Sequence, residues 1–142
     1  MMREILFRGR ISKNEWVYGL PIEGEPLMGG GKETCIVTKP GLFYYDGVLM
    51  TYDECVDVDP DTVGQFTGLT DRNSTKIFEG DIVNYNGEPG YVGFDKENAE
   101  FLIFFSKWTA GFDSIYCDRN AEVIGNVYDT PELLEVSGNE RA

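Results

Sequence analysis

Apolar and polar residues alternate from the start of the chain. Glu4-Ile5-Leu6-Phe7-Arg8-Gly9-Arg10-Ile11 reads as one strand and Trp16-Val17-Tyr18-Gly19-Leu20 as a second, split by the polar turn Lys13-Asn14-Glu15. Two such runs across a short turn predict a β-hairpin. The period is lost over residues 21–33, where Pro21, Glu23, Gly24, Glu25 and Pro26 precede Gly29-Gly30-Gly31; a flexible loop is expected. A glycine loop can cradle phosphate, but this one runs into the β-branched segment 34–38 rather than a helix, which disfavours that use. Residues 34–38 and 42–45 are strand-like. Asp46-Gly47 then offers a tight hairpin turn into Val48-Leu49-Met50-Thr51-Tyr52.

The second half repeats the pattern. Strands are expected at 62–69, 76–85 (entered through Gly80-Asp81), 91–94, 100–105 and 121–128, with turns at 71–74, 86–90 and 95–99. Residues 106–121 show mixed spacing, with Trp108, Phe112, Ile115 and Tyr116 as loop anchors. Thr130-Pro131-Glu132-Leu133-Leu134-Glu135 predicts a short helix, Thr130 as its cap and Pro131 in the first turn. The expected fold class is mainly β. An N-terminal β region spans 1–61, a C-terminal region 62–136 and a frayed tail 137–142; the sequence leaves open whether the two regions share one core.

Composition narrows the chemistry. The chain has 142 residues and no histidine, so Ser-His-Asp, Cys-His and His-ligated zinc sites are excluded. Its three cysteines, Cys35, Cys55 and Cys117, are odd in number and widely spaced. A CxxC ribbon is excluded and three reduced thiols in a cytoplasmic protein are expected. No apolar run is long enough for a signal peptide or a membrane span.

The net charge is −13, from 25 acidic and 12 basic residues. Such a chain is ill suited to general phosphate-backbone binding. The sign is unevenly spread, however. Residues 1–13 hold Arg3, Arg8, Arg10 and Lys13 against Glu4 alone, a net of +3 that leaves −16 on the rest. Those four residues form the candidate basic surface, and the acidic run 53–61 is its obvious counterpart. Within that run, Asp57-x-Asp59-x-Asp61 has the opening of a calcium loop but lacks its central glycine and closing glutamate.

Two blocks have a familiar form. Val63-Gly64-Gln65-Phe66-Thr67-Gly68-Leu69 followed by Lys76-Ile77-Phe78-Glu79-Gly80-Asp81-Ile82-Val83 resembles the signature of the YopX family, small proteins encoded by phages and prophages. The opening Arg3-Glu4-Ile5-Leu6-Phe7-Arg8-Gly9 with Trp16-Val17-Tyr18-Gly19 is similar to the family's N-terminus. Val123-Ile124-Gly125-Asn126-Val127-Tyr128 with Pro131-Glu132-Leu133-Leu134 is similar to its ending. The resemblance implies an SH3-like barrel roll in the C-terminal part, and it supplies no activity, cofactor or catalytic residue. Ser74 stands where the family often has glycine, which puts the geometry of the 71–76 turn in question.

The candidate polar site is Gln65, Thr67, Glu79 and Asp81. Glu79 and Asp81 are two apart, so an extended chain would set both carboxylates on one face, where they could hold a divalent cation or share acid–base work. Turn capping at a strand entry explains the same residues. The aromatics Tyr18, Tyr44, Tyr45, Tyr85, Tyr91, Trp108 and Phe112 could form a stacking platform, but they lack interleaved bases; core packing and interface burial account better for most. The leading expectation is a non-enzymatic protein that binds a protein partner or self-associates, with no cofactor, metal or membrane. The alternatives are nucleic-acid binding through the basic hairpin and a metal-dependent hydrolase built on Glu79 and Asp81.

Overall fold

The computed structural model describes residues 3–25, 27–111 and 120–135. Cys117, Phe112, Ile115, Tyr116 and the tail 137–142 lie outside the described residues. The chain is mainly β and divides into two compact units, Leu6–Gly64 and Met1–Ile5 with Gln65–Ala142.

The first unit holds β1 (Phe7–Ser12), β2 (Glu15–Gly24), β3 (Glu33–Tyr45), β4 (Val48–Asp57) and the start of β5 (Asp59–Thr70). Their order is β4-β3-β2-β1-β5, with β4 at the edge. The β1–β2 turn at Lys13-Asn14 uses a left-handed Asn14, φ 61°. Gly9 is packed so closely that a Cβ there would lie 2.7 Å from Val58 Cγ2. Gly19 faces the Val37 carbonyl, with no room for a side chain.

The expected 21–33 loop is shorter than the composition suggests. Pro21 and Ile22 pair with Ile36 and Cys35, so β2 continues to Gly24. The last β1–β2 pair is Phe7 with Gly19, so at Pro21 the strand has a neighbour on one side only. An edge position tolerates the missing N–H of proline. The acidic run 53–61 belongs to β4 and β5; Asp61 N–H bonds Asp59 Oδ1 at 3.0 Å within the chain.

Asp46 and Gly47 have φ 52° and 80°. Both central residues are left-handed, as a type I′ hairpin turn requires. The hairpin they join is long: β3 and β4 pair from Cys35↔Asp57 out to Tyr45↔Val48, with a register shift between Val37 and Lys39. β2, by contrast, reaches β3 only as far as Val37. Beyond that point β3 and β4 form a two-stranded arm, among the described residues without a third strand.

In the second unit, β5 pairs with β6 (Lys76–Phe78) through Phe66↔Phe78 and Thr70↔Lys76. A five-stranded antiparallel sheet follows, in the order β10-β9-β8-β7-β11: β7 (Asp81–Tyr85), β8 (Glu88–Asp95), β9 (Glu100–Phe104), β10 (Thr109–Gly111) and β11 (Ala121–Asn126). Its core is Ile77, Val83, Val92, Ile103, Phe105, Ala110 and Ala121, with Tyr85 and Val123 packed against it. The 86–90 turn is reduced to Asn86-Gly87, again both left-handed, with φ 51° and 94°.

The C-terminal helix is a single 3-10 turn, Pro131–Leu134, with Thr130 at its N-cap position and Pro131 in its first turn, but the Thr130 side chain makes no cap hydrogen bond. Thr130 Oγ1 instead accepts from Asn126 N–H at 3.1 Å and donates to the Asn126 carbonyl at 3.2 Å. β11 therefore stops at Asn126, whose side-chain oxygen takes the N–H groups of Tyr128 and Asp129. Local turn chemistry at Asn126 outcompetes strand continuation and takes the Thr130 hydroxyl from a side-chain cap bond.

Candidate functional site

The polar residues singled out from the sequence fall where β5, β6 and β7 meet. β5 places Gln65 and Thr67 on one side and the buried Phe66 on the other. Thr67 Oγ1 donates to the Ile77 carbonyl at 2.9 Å and accepts from Leu69 N–H at 3.2 Å. Glu79 N–H donates to the Gln65 carbonyl at 2.9 Å, while Glu79 Oε1 accepts the Gln65 N–H at 3.4 Å.

Glu79 and Asp81 do not lie on one extended face. Gly80 between them turns the chain with φ 92°, its N–H bonded to Val92 and its carbonyl to the Val127 N–H. Asp81 is 2% exposed, and its Oδ2 accepts the Phe78 N–H at 2.7 Å. The carboxylate thus closes the β6–β7 turn from inside. Thr67, Glu79 and Asp81 each bind a backbone group of a neighbouring strand or turn. Arg3, Gln65 and Thr67, with Glu4 and Phe101, line a shallow pocket of about 30 Å³, room for about one water molecule.

A second buried carboxylate, Asp71, is not marked as buried by any local pattern in the sequence. Asp71 reads as turn chemistry in the sequence, and it is that: its Oδ1 takes Asn73 N–H at 2.8 Å and Thr75 N–H at 2.9 Å. Its Oδ2 also accepts Val123 N–H at 2.8 Å, which ties the turn to β11. It is 3% exposed. Ser74 adopts the left-handed backbone at φ 65°, and its N–H bonds the Asp71 carbonyl at 3.0 Å. The turn forms with serine in place of glycine.

The candidate basic residues are not presented alike. Arg8 is 6% exposed, with its guanidinium 4.6 Å from the centre of the Trp16 ring. The register explains this: Arg8 pairs with Tyr18 and Arg10 with Trp16, so Arg8 and Trp16 are diagonal neighbours. Arg10 is half-buried, its N–H bonded to Thr62 Oγ1 at 2.9 Å; Lys13 is exposed in the turn. Arg3 belongs to the other unit.

The aromatics divide too. Tyr85 packs on the core, Tyr91 stacks on Phe104 and Trp108 on Phe105, while Trp108 Nε1 donates to Glu88. Core packing fails for Tyr44 and Tyr45, which lie on the β3–β4 arm. That arm carries Leu42, Phe43, Tyr44, Tyr45, Val48, Leu49 and Met50, all 41–75% exposed. Cross-strand pairing puts Leu42, Tyr44 and Leu49 on one face and Phe43, Tyr45, Val48 and Met50 on the other. Both faces are apolar. Cys35 and Cys55 are free thiols and diagonal neighbours at the base of the arm. Burial, then the hydrogen bond and charge of Cys55, then Asp57, push the Cys35 thiol up.

Among the described residues, no helix is long and apolar enough to cross a membrane. The chain is thus a mainly β protein whose strand junctions are held by polar side chains. The family model for YopX protein matches residues 7–135, and the chain belongs to the YopX family. No curated protein matches it. A crystal structure of protein EF1440 from Enterococcus faecalis is similar in fold, with a TM-score of 0.64 at 21% identity. The match covers 94% of this chain and 100% of that one.

Proposed function

We propose that the chain is a non-enzymatic accessory protein of a phage or prophage that works by binding protein, with the β3–β4 arm as its contact surface. The observation that carries this reading is the exposure of seven large apolar side chains on one two-stranded ribbon. A lone hairpin is marginal in water, and soluble proteins seldom leave so large an apolar patch uncovered unless it meets something. Within Leu6–Gly64, the described buried apolar residues are Ile36, Val37 and Val58, too few to account for the apolar content of that segment. A hydrolase reading has less support, because Thr67, Glu79 and Asp81 already serve backbone groups. Nucleic-acid binding through the basic hairpin is weakened by the burial of Arg8 beside Trp16.

The test is affinity capture with the immobilised full chain, offered both purified untagged chain and a bacterial lysate. Wild type should retain protein, and the double variant Tyr44→Ser/Leu49→Ser should release it. Equal retention by both, or none by either, contradicts the reading.

A further inference from the structure

We propose that the partner of the arm is a second copy of this chain, the two β4 edges running antiparallel about a twofold axis. The inference rests on the protein-binding reading above and adds the identity of the partner.

Three observations lead to it. The first is exposure. On the edge strand itself Val48, Leu49 and Met50 are 61%, 54% and 43% exposed, apolar side chains that a strand added at that edge would flank on both faces.

The second is charge. Each copy carries −13, so two copies repel over most of their surfaces. Apart from Asp46 in the turn, residues 40–52 contain no charged side chain, in a chain that is 26% charged. Two like-charged molecules can approach there at least electrostatic cost, and such a patch is its own complement, as a twofold interface requires. A basic partner drawn by the acidic body would have no reason to choose this patch.

The third is the edge. β4 is the outer strand of its sheet, and its segment Val48-Leu49-Met50-Thr51 carries none of the lysine, proline or inward charge that usually blocks an exposed edge. An identical strand presented antiparallel satisfies the unpaired backbone groups and sets its own Val48, Leu49 and Met50 beside theirs in the same step.

The test is the mass of the full chain in solution from about 1 to 100 μM, the range in which weak interfaces dissociate. The expected result is twice the 16.0 kDa chain mass. Because the repulsion is between like charges and the contact is apolar, the dimer should hold or tighten as salt is raised. Tyr44→Asp/Leu49→Lys should give a monomer. Should that variant fail to fold, Thr51→Lys keeps every apolar side chain of the arm, charges the edge and should likewise lower the mass. Leu69→Lys, an exposed apolar position outside the arm, should remain dimeric. A wild-type monomer throughout the range overturns the proposal. So does a dimer that salt dissolves, or one indifferent to the arm and edge variants. A monomer that still captures another protein through the arm also overturns it, and leaves the protein-binding reading standing.

Discussion

Gln65 and Glu79 hold each other twice: the Glu79 N–H donates to the Gln65 carbonyl at 2.9 Å, and the Glu79 carboxylate accepts the Gln65 N–H at 3.4 Å. This reciprocal pair joins β5 to the β6–β7 turn and gives a polar residue of the family signature a structural task. Glu79→Ala should cost about 1 kcal/mol, the usual net worth of one such hydrogen bond, and Glu79→Gln should cost less because its amide oxygen can still accept. Urea unfolding of the two variants checks this; equal losses would show that the carboxylate acts in some other way.

Asp71 should matter more. Asp71→Ala leaves the N–H groups of Asn73, Thr75 and Val123 without their acceptor, and a loss of about 3 kcal/mol is expected for such a buried site. In the same turn, Ser74→Gly should stabilise by up to about 1 kcal/mol, because glycine takes a left-handed backbone without the cost that a Cβ imposes. Thermal unfolding of both variants reads the two opposite signs.

Gly9 and Val58 form a steric pair. A Cβ at position 9 would lie 2.7–2.9 Å from three atoms of the Val58 side chain. Gly9→Ala should destabilise by about 1–3 kcal/mol through overpacking. Val58→Ala should recover part of that loss in the double variant, and a double-mutant cycle measures the coupling. Additive losses would mean that the strain is relieved elsewhere.

Cys35 should alkylate late in a pH series. Burial first, then its neighbours Cys55 and Asp57, hold its thiol above the ordinary range, so the nucleophilic thiolate forms only at higher pH. The sign for stability follows. The contribution is intact below the unfolded-state value and is lost as pH rises through the folded one. Iodoacetamide labelling of Cys35, followed by peptide mass spectrometry, should show this delay. Cys55→Ser should shorten it without removing it, since burial remains. Labelling of Cys35 at the rate of a free thiol would contradict the geometry.

The strands and their turns were largely legible because their signals are local. Asp46-Gly47 and Asn86-Gly87 name type I′ turns through the residues that tolerate positive φ. What escaped depends on pairing. Asp71 accepts from Val123, 52 residues away, and no local spacing shows that. The burial of Arg8 beside Trp16 follows only once the β1–β2 register is known. The run Leu42-Phe43-Tyr44-Tyr45 reads as a strand, but with no polar alternate it does not tell a covered face from an open one. It is exposed because β2 reaches β3 only as far as Val37 and supplies no third strand there. At the candidate site, Glu79 and Asp81 would share one face only in an extended chain, and the left-handed Gly80 between them turns it.

The claim that the arm is a covered protein-binding surface is tested most directly by hydrogen exchange on the unmodified chain, at low and at high protein concentration. Amides of residues 42–51 should exchange more slowly as concentration rises, while those of the β7–β8 sheet stay constant. Exchange in 42–51 that is fast and independent of concentration, and that no added protein slows, would contradict the account.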